Sequence, residues 1–315
     1  MRSSRGAIQM VWIEAALNGP WSRHRQPGIP VTVAEVVREG IDCAKAGAGI
    51  IHVHAYDPES GRQNDDPQAY AAIIEGIRSK VDAIVYPTIP FVGGAQAFDS
   101  GAELDRYAAI EELAGRGLLE WAVVDPGSIN LSTIDEARAG QPGSTYLNPG
   151  AHIQRGLEVA AEHGLVPSYA IYEPGFVRYG AALWNGRPKC PRPIYRFMFS
   201  DIFTFGLDPV PSSLDTYIRM VERHAPGAPW MVAGLGVDIR PLTLHAIARG
   251  GNVRVGLEDA PFGTGLSNRQ WVEEAVRLVR AAGEEPATAR EVRLDLKRPA
   301  DFPAAAGGRS ISPPN

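Results

Sequence analysis

The chain has 315 residues, of which 44% are hydrophobic and 21% are charged. This composition is ordinary for a globular protein with a full core, and it excludes a disordered or fibrous chain. The 31 basic and 36 acidic side chains give a formal net charge of −5, so there is no bulk attraction for nucleic acid or anionic lipid. We therefore expect small-molecule partners, and neither a nucleic-acid nor a membrane partner.

The two cysteines, Cys43 and Cys190, are too far apart in the sequence to form a CxxC motif. This spacing predicts neither a disulfide scaffold nor a cysteine-based zinc site, and it is typical of the reducing cytoplasm. The apolar stretch near the N-terminus is interrupted by Gln9 and Glu14, which favours a first strand over a signal peptide. No apolar run approaches the roughly 18 residues that a transmembrane helix needs.

Eight short runs rich in Val, Ile and aromatic residues predict buried parallel strands. In chain order they are Ile8–Glu14, Gly49–His54, Ala83–Thr88, Trp121–Asp125, Ser168–Glu173, Tyr195–Ser200, Trp230–Leu235 and Asn252–Leu257.

Longer amphipathic patterns between these runs predict helices. Thr32 is followed three residues later by Glu35, which predicts a capping box. The predicted helices run from Thr32 to about Ala46, from Pro67 to about Arg78, from Ser100 or Gly101 to about Arg116, and near Pro149–His163, Ser212–His224, Ile239–Arg249 and Asn268–Ala282. The Pro- and Gly-rich stretch from Arg178 to Pro193 is the weakest helix prediction.

The strict alternation predicts an α/β protein with a parallel sheet. Eight repeats is the number that closes a (β/α)8 TIM barrel, which we predict as a single domain over residues 1–283. A doubly wound open sheet is the alternative, but no Gly-x-Gly-x-x-Gly motif follows the first strand. The Ala-, Pro- and Arg-rich residues 284–315 are interpreted as a C-terminal extension that packs on a neighbour or is partly loose.

Polar residues collect near the predicted carboxyl ends of the strands, where such barrels carry their catalytic groups. They are Glu14, His52, His54, Thr88, Asp125, Ser128, Asn130, Glu173, Glu258 and Asp259. This accumulation predicts an active site at one end of the barrel.

His52 and His54 are the clearest local signal. Side chains two residues apart on a strand face the same way, about 6.6 Å apart along the backbone, so both imidazoles can reach one divalent ion. A hydrogen-bonded pair of histidines in a polar patch is the alternative. The eighth strand of a closed barrel lies beside the first, and the first beside the second, so Glu258 and Glu14 are both expected near the histidines. Two histidines and one carboxylate with an open position are typical of catalytic zinc.

Strand parity places Arg254, Gly256 and Glu258 on one face. If Glu258 points into the site, Arg254 does too, and its buried guanidinium needs a partner such as Glu14 or Asp259. Gly256 is expected to leave room for the arginine. Arg254 would then bind a substrate carboxylate or hold a general base in its charged form. The alternative is a structural ion pair that ties strands together.

Four segments resemble the β-keto acid cleavage enzymes, a family named for the 3-keto-5-aminohexanoate cleavage enzyme. They are IEAALNG at 13–19, AGAGIIHVH at 46–54, DPESGR at 57–62 and VRVGLED at 253–259. The resemblance extends from about residue 7 to about residue 285. It implies a (β/α)8 barrel and a zinc ion held by His52, His54 and Glu258.

The resemblance also implies a reaction. A β-keto acid and acetyl-CoA would give acetoacetate and a new acyl-CoA, with zinc polarising the ketone. Asp259 would act as the base, supported by Glu14 and Arg254. The family's members form tetramers or larger assemblies, so a homo-oligomer is expected.

Two departures from the family pattern concern substrate binding. Ala55 and Tyr56 stand where the family commonly has a hydrophobic residue and an arginine, so one positive charge is missing. The end of the third strand carries Thr88 in Pro-Thr-Ile-Pro, where the family usually has a hydroxyl- and glycine-rich turn. Both departures bear on which β-keto acid is accepted.

We predict that the substrate is bound by Thr88, Ser128, Asn130 and Glu173. Thr88 and Glu173 are expected to select the β-keto acid, because the reaction core comes from strands one, two and eight. Pro174 and Gly175 directly follow Glu173 and could turn its carboxylate outward, toward Arg178 or Arg196 as a surface pair.

Two other functions stay open at this point. A metal-dependent hydrolase or aldolase could use the same barrel, but amidohydrolases usually need further histidines at strands five and six. Those strands end near Glu173 and Ser200. A barrel that only binds a carboxylate metabolite is the non-enzymatic alternative.

Overall fold

The computed structural model describes residues 8–92 and 105–297. Eight parallel strands of the described chain form one sheet. We label them β1 to β8 in chain order: Ile13–Ala16, Ile50–Val53, Ile84–Pro87, Trp121–Val123, Val166–Ile171, Ile194–Phe199, Trp230–Gly234 and Asn252–Val255.

The strand order is β3-β2-β1-β8-β7-β6-β5-β4. Neighbours are consecutive all the way round, β8 pairs with β1, and β3 contacts β4. A doubly wound sheet would instead reverse its strand order near the middle. The strands therefore form a nearly closed barrel, which confirms the predicted (β/α)8 TIM barrel.

One helix follows each strand before the next strand begins. We label these helices α1 to α8: Val33–Ala46, Pro67–Arg78, Ala108–Gly115, Gly150–His163, Pro174–Asn185, Pro211–His224, Arg240–Ala248 and Asn268–Ala281. The predicted capping box of Thr32 and Glu35 is present at the start of α1. A further short helix, Ile134–Arg138, lies between β4 and α4.

Two helices differ from their predictions. The start predicted for the third helix, at Ser100 or Gly101, lies outside the described residues, and the described helix is Ala108–Gly115. Helix α5 forms across much of the stretch predicted to be least helical. Pro174 occupies its first turn, where a proline costs no hydrogen bond, and Val177 and Ala181 are buried on its inner face.

The first predicted strand divides into two parts. Met10–Val11 pairs with Glu285–Pro286, whereas Ile13–Ala16 forms the barrel strand β1. Glu14 therefore lies inside β1 and not at its end as predicted. Trp12 separates the parts, and its backbone N–H donates to Asn252 Oδ1 at 2.8 Å.

The start of the predicted C-terminal extension packs on the barrel of the same chain. Beyond Glu285–Pro286, the helix Ala289–Leu296 carries Arg293, which bonds to Asp82 at 2.8 Å and to Glu120 at 2.5 Å. Asp82 and Glu120 directly precede β3 and β4, so this helix covers the amino-terminal end of the barrel. The boundary at residue 284 stays a prediction, and residues 298–315 lie outside the description.

The core lies between the outer faces of the strands and the helices. Phe197 of β6, for example, stacks on Tyr217 of α6 and on Trp230 of β7, with ring centroids 4.9 and 5.4 Å away. In the described chain, every helix is too short or too polar to cross a bilayer. The opposite, carboxyl-terminal end of the barrel holds the buried polar residues.

Candidate active site

Three side chains converge at the carboxyl-terminal end of the barrel: His52 of β2, His54 directly after β2, and Glu258 after β8. His52 Nε2 and His54 Nε2 each lie 3.6 Å from Glu258 Oε2. One potential ligand atom from each residue lies within 4.8 Å of the other two. All three residues are buried. The structure therefore brings together the predicted metal ligands.

The donor atoms of this group lack other partners. His54 Nε2 and Glu258 Oε2 are buried and accept or donate no hydrogen bond among the described residues. A buried polar atom without a partner costs free energy, and such atoms are rare in folded proteins. Two such atoms directed at one point are better explained by a metal site than by the alternative, a hydrogen-bonded pair of histidines. Two imidazoles and a carboxylate are also a donor set that zinc accepts.

The backbone around His54 is held from neighbouring segments. Asn18 donates through Nδ2 to the carbonyl of His54 and accepts its N–H through Oδ1, both at 2.9 Å. His54 Nδ1 lies 3.0 Å from Gln63 Oε1, which leaves Nε2 directed at Glu258. Such outer partners orient a metal-binding imidazole. The sequence analysis assigned no role to Asn18 and Gln63.

Arg254 of β8 contacts three carboxylates. Its Nη1 lies 3.0 Å from Glu14 Oε1, and its Nη2 lies 2.7 Å from Glu258 Oε1. Nε and Nη2 donate to the two oxygens of Asp259, each at 2.9 Å. Sequence reasoning expected Glu14 or Asp259 as the partner, and the structure shows both together with Glu258.

The charges of this cluster do not cancel. One guanidinium faces three carboxylates, those of Glu14, Glu258 and Asp259, which leaves two net negative charges when all three are ionised. Buried charge needs compensation. A divalent cation between His52, His54 and Glu258 would supply it.

The pKa values follow from burial and from Arg254. Burial would raise the pKa of Glu258, but Arg254 and the two histidines outweigh it and hold this pKa well below its ordinary value. Burial raises the pKa of Asp259 to about 6, although Arg254 opposes the shift. Burial also lowers the pKa of His52 well below its ordinary value, which favours the neutral imidazole that a metal ligand requires.

Gly256 has a different role from the one predicted. Strand β8 ends at Val255, and Gly256 adopts a φ of +134°, so strand parity does not continue to Glu258. A Cβ on Gly256 would lie 2.2 Å from the carbonyl oxygen of Ala16. Glycine is therefore required by the close approach of β1 and by the positive φ, and not by the space that Arg254 occupies. The turn that follows directs both Glu258 and Asp259 to Arg254.

Glu14 is fully buried in the barrel interior. Besides Arg254, its Oε1 accepts a hydrogen bond from the Tyr86 hydroxyl at 2.6 Å. Tyr86 lies on β3, and its hydroxyl is also 3.3 Å from Ser168 Oγ on β5. A chain of polar contacts therefore crosses the barrel from β8 to β5. Tyr86 was not identified in the sequence analysis because it reads as an ordinary core aromatic.

A cavity opens at this end of the barrel, and the space within and in front of it, open solvent included, is about 620 Å³. Its walls are Pro20, Trp21, His52, His54, Gln63, Thr88, Ile89, Phe91, Val123, Asp125, Leu131, Tyr146, Ala170, Tyr172, Arg196, Leu235 and Glu258. Ten of these 17 residues are apolar or aromatic and seven are polar or charged, a combination that small-molecule sites use. Thr88, one of the predicted substrate-binding residues, is among them.

The other three predicted substrate-binding residues do not line the cavity. Ser128 Oγ accepts the backbone N–H of Asn148 at 2.7 Å, and Asn130 lies exposed on a hairpin. Glu173 accepts the backbone N–H of Gly206 at 3.1 Å. Ser128 and Glu173 thus accept hydrogen bonds from the backbone of neighbouring loops, and the role of the three residues in binding stays a prediction.

Arg196 is the most prominent residue that sequence reasoning misplaced. A surface pair with Glu173 was one expectation for it, but Arg196 is only 3% exposed and lines the cavity from β6. The signal was available, since Arg196 is the single charged residue in the apolar run IYRFMF. The departure at Tyr56 also has a structural consequence, because its hydroxyl donates to the carbonyls of Gly19 and Trp21 beside the cavity mouth.

A second group with metal-ligand chemistry lies among the described residues. Glu111, Glu162 and His163 lie close together, but they are exposed or half-buried on helices α3 and α4. Clusters of this kind are common on surfaces without a metal. The buried triad is the candidate centre.

A family model and several known proteins match this chain. A family model described as beta-keto acid cleavage enzyme matches residues 10–297. The 3-keto-5-aminohexanoate cleavage enzyme of Fusobacterium nucleatum is 31% identical over 299 residues, which cover 92% of this chain and 100% of the relative. The 3-dehydrocarnitine:acetyl-CoA trimethylamine transferase of Rhizobium meliloti is 26% identical over 306 residues, covering 91% of this chain and 96% of the relative.

Among solved structures, the apo structure of ObcA superimposes with a TM-score of 0.68 at 17% sequence identity. The match covers 85% of this chain and 65% of ObcA, so this chain spans slightly less than two thirds of that protein. At this identity the likeness supports the fold alone. The match of the family model over nearly the whole described chain, together with the 31% identical relative, shows that this chain belongs to the beta-keto acid cleavage enzyme family.

Proposed function

We propose that this protein is a zinc-dependent β-keto acid cleavage enzyme. It would exchange acyl groups between a β-keto acid and acetyl-CoA, so that the products are acetoacetate and a new acyl-CoA. The acyl group of the keto acid moves to CoA and the acetyl group takes its place, which balances the atoms. The chain is an enzyme of the acyltransferase type, as its family and its relatives indicate.

The observation that carries the proposal is the buried cluster of His52, His54 and Glu258. It lies beside Arg254 and the other carboxylates that Arg254 contacts. Its unpartnered atoms and its two net negative charges fit a divalent cation, and its ligand set favours zinc. A bound zinc ion would act as a Lewis acid on the ketone oxygen of the keto acid. The apolar wall of the cavity would exclude water around the reacting carbons.

The roles of the surrounding residues follow from their contacts. Arg254 holds Glu14, Glu258 and Asp259 in one arrangement, and we assign Asp259 as the base that removes a proton from the keto acid. Both Asp259 oxygens accept bonds from Arg254, which orients the carboxylate. Asp259 is not part of the cavity wall, so its role requires contact with the substrate, directly or through one water, in the loaded enzyme.

The assembly and location are part of the same proposal. We propose a homo-oligomer, a tetramer by analogy with the family, that works in the cytoplasm. Cys43 and Cys190 are both free and buried in the described structure, which is compatible with a reducing compartment. Light scattering coupled to size exclusion would measure the mass of the assembly.

The test is a panel of β-keto acids assayed with acetyl-CoA by the release of acetoacetate and of the matching acyl-CoA. The expected result is acetyl-CoA-dependent formation of both products in equal amounts by the zinc-loaded protein. Hydrolysis of the keto acid without acetyl-CoA would contradict the proposal and favour a metal-dependent hydrolase. Binding without turnover of any substrate would favour a binding barrel.

A further inference from the structure

A second buried arginine lies across the barrel from the metal ligands. Arg196 is in the middle of β6, and β6 is four strands away from β2 in either direction around the eight-stranded barrel. His52 and Arg196 therefore come from diametrically opposite strands, and both line the cavity. A molecule bound across the cavity would contact the metal ligands at one end and Arg196 at the other.

Arg196 forms few hydrogen bonds within the described structure for a guanidinium that is 3% exposed. Its Nη2 donates to the Ser168 carbonyl at 3.3 Å, and the same atom is 3.7 Å from Asp125 Oδ1, beyond hydrogen-bond distance. Its Nε has no hydrogen-bond partner among the described residues. An arginine remains protonated in proteins, so a buried positive charge with unused donors faces the cavity.

The two oxygens of Asp125 accept other hydrogen bonds. Oδ2 accepts the Tyr146 hydroxyl at 2.7 Å, and Oδ1 accepts the backbone N–H of Ala170 at 3.1 Å. A further buried cation lies next to Tyr146. The guanidinium carbon of Arg106 is 5.7 Å from the centroid of that ring, and the acceptors of its hydrogen bonds are uncharged. Arg196 and Asp125 line the cavity, and Arg106 adds a second buried positive charge near them.

We propose that Arg196 binds a carboxylate of the β-keto acid. The substrate would then lie across the cavity, with its ketone toward His52, His54 and Glu258 and its carboxylate on the guanidinium of Arg196. The unused Nε, together with an Nη atom, is the donor arrangement that accepts a carboxylate bidentately. This inference rests on the proposed function, and it assigns Arg196 as a residue that determines which anion the site accepts.

The carboxylate could be the acid group common to all β-keto acids or a second one at the far end of a dicarboxylate. The probes are acetoacetate, which has only the first group, 3-oxoglutarate, which has both, and methyl acetoacetate, which has no charge. Their dissociation constants are measured by NMR titration of the metal-loaded protein without acetyl-CoA. Because no turnover is needed, failure of the acyl exchange would leave this test intact.

The variants are Arg196→Gln, Arg196→Lys and Asp125→Asn. In Arg196→Gln we expect Kd to rise at least about tenfold, which corresponds to roughly 1.4 kcal/mol, for ligands whose carboxylate Arg196 binds. Methyl acetoacetate should bind that variant and the wild type equally. Weaker binding of acetoacetate identifies the common acid group, whereas weaker binding of 3-oxoglutarate alone identifies the second carboxylate.

Asp125→Asn separates anion binding from a structural ion pair. Removing the neighbouring negative charge should tighten the binding of the carboxylate ligands if Arg196 receives them. If Arg196 serves only to pair with Asp125, Asp125→Asn will weaken binding as much as Arg196→Gln does. That result, or an equal loss for methyl acetoacetate, would overturn the proposal. Arg196→Lys keeps the charge, so it replaces Arg196→Gln in the test if that variant does not fold. For Arg196→Lys we expect a smaller rise in Kd, and only for the carboxylate ligands.

Discussion

The two sides of the cavity each contain a buried arginine, but the two arginines differ in their surroundings. On the side of β8, β1 and β2, Arg254 contacts three carboxylates at hydrogen-bond distance. On the side of β4, β5 and β6, Arg196 donates one hydrogen bond to a carbonyl in the described structure and lies 3.7 Å from one carboxylate. Each nitrogen of the first guanidinium contacts a carboxylate, whereas Nε of the second has no hydrogen-bond partner among the described residues.

This difference distinguishes the preorganised cluster around Arg254 from Arg196, which is available to bind a ligand. An arginine whose three nitrogens all contact carboxylates fixes the positions of those groups. A buried arginine with an unpartnered donor carries a free-energy cost that a ligand or water can relieve. The predictions below test the two sides in turn, beginning with the largest expected effect.

Replacing a metal ligand should have the largest effect. His52→Ala removes one of three donors, so we expect the metal content to fall from about one ion per chain to nearly none. The rate kcat/KM should fall about 10³-fold or more, because a bound metal supplies several kcal/mol of charge stabilisation. Elemental analysis and the acetoacetate assay measure the two quantities. His224→Ala, at the far end of α6, is the matched control, and a variant at His52 that keeps full activity without metal would contradict the assignment.

Arg254→Ala should reduce activity while the metal stays bound. The guanidinium is not a ligand, but its loss leaves Glu14 and Asp259 buried without their positively charged partner. Removing one partner of a buried ion pair typically costs about 3–5 kcal/mol, which should lower the melting temperature and reduce kcat/KM about 10²-fold or more. Thermal denaturation and metal analysis are the measurements.

The control for Arg254 is Arg280→Ala, since Arg280 forms an exposed ion pair with Glu285. Exposed pairs of this kind contribute about 0–1 kcal/mol, so that variant should behave as wild type. Unfolding of Arg254→Ala at ordinary temperature would favour the structural ion pair. Loss of the metal along with activity would show that Arg254 acts by positioning Glu258.

Tyr86→Phe tests the contact that joins the two sides. It removes the hydroxyl that donates to Glu14 at 2.6 Å. A hydrogen bond to a charged group contributes about 1.5 kcal/mol or more, so kcat/KM should fall roughly tenfold with the metal content unchanged. Tyr195→Phe is the matched control, because the Tyr195 hydroxyl is buried without a partner in the described structure. Equal effects of the two substitutions would show that Glu14 does not contribute to activity through this hydrogen bond.

Glu173→Gln should have the smallest effect. Glu173 lies outside the cavity wall and accepts the N–H of Gly206, and glutamine retains that acceptor. We expect the ratio of kcat/KM between cationic and neutral β-keto acids to change by less than about twofold. A tenfold change, about 1.4 kcal/mol of differential transition-state binding, would show that Glu173 takes part in substrate selection.

The fold and one side of the site could be predicted from local patterns. Short apolar runs separated by capped helices predicted the eight strands, because buried parallel strands and amphipathic helices have different periods. His52 and His54 are two residues apart at the end of β2, and Glu258 follows β8, the strand that a closed barrel brings to β1. The ligands could therefore be found by parity and strand adjacency, without knowledge of any side-chain contact.

The remaining features depend on tertiary contacts that no local pattern encodes. Gly256 is required because the carbonyl of Ala16 approaches it, and Glu14 lies deeper than expected because β1 begins at Ile13 and continues to Ala16. The sequence by itself determined the barrel and the placement of three potential metal-binding side chains at one end of it, since both follow from residue type and spacing. Only the tertiary structure decided that Arg254 contacts three carboxylates and that Arg196 keeps an unpartnered Nε, because the partners of a buried charge come largely from other strands.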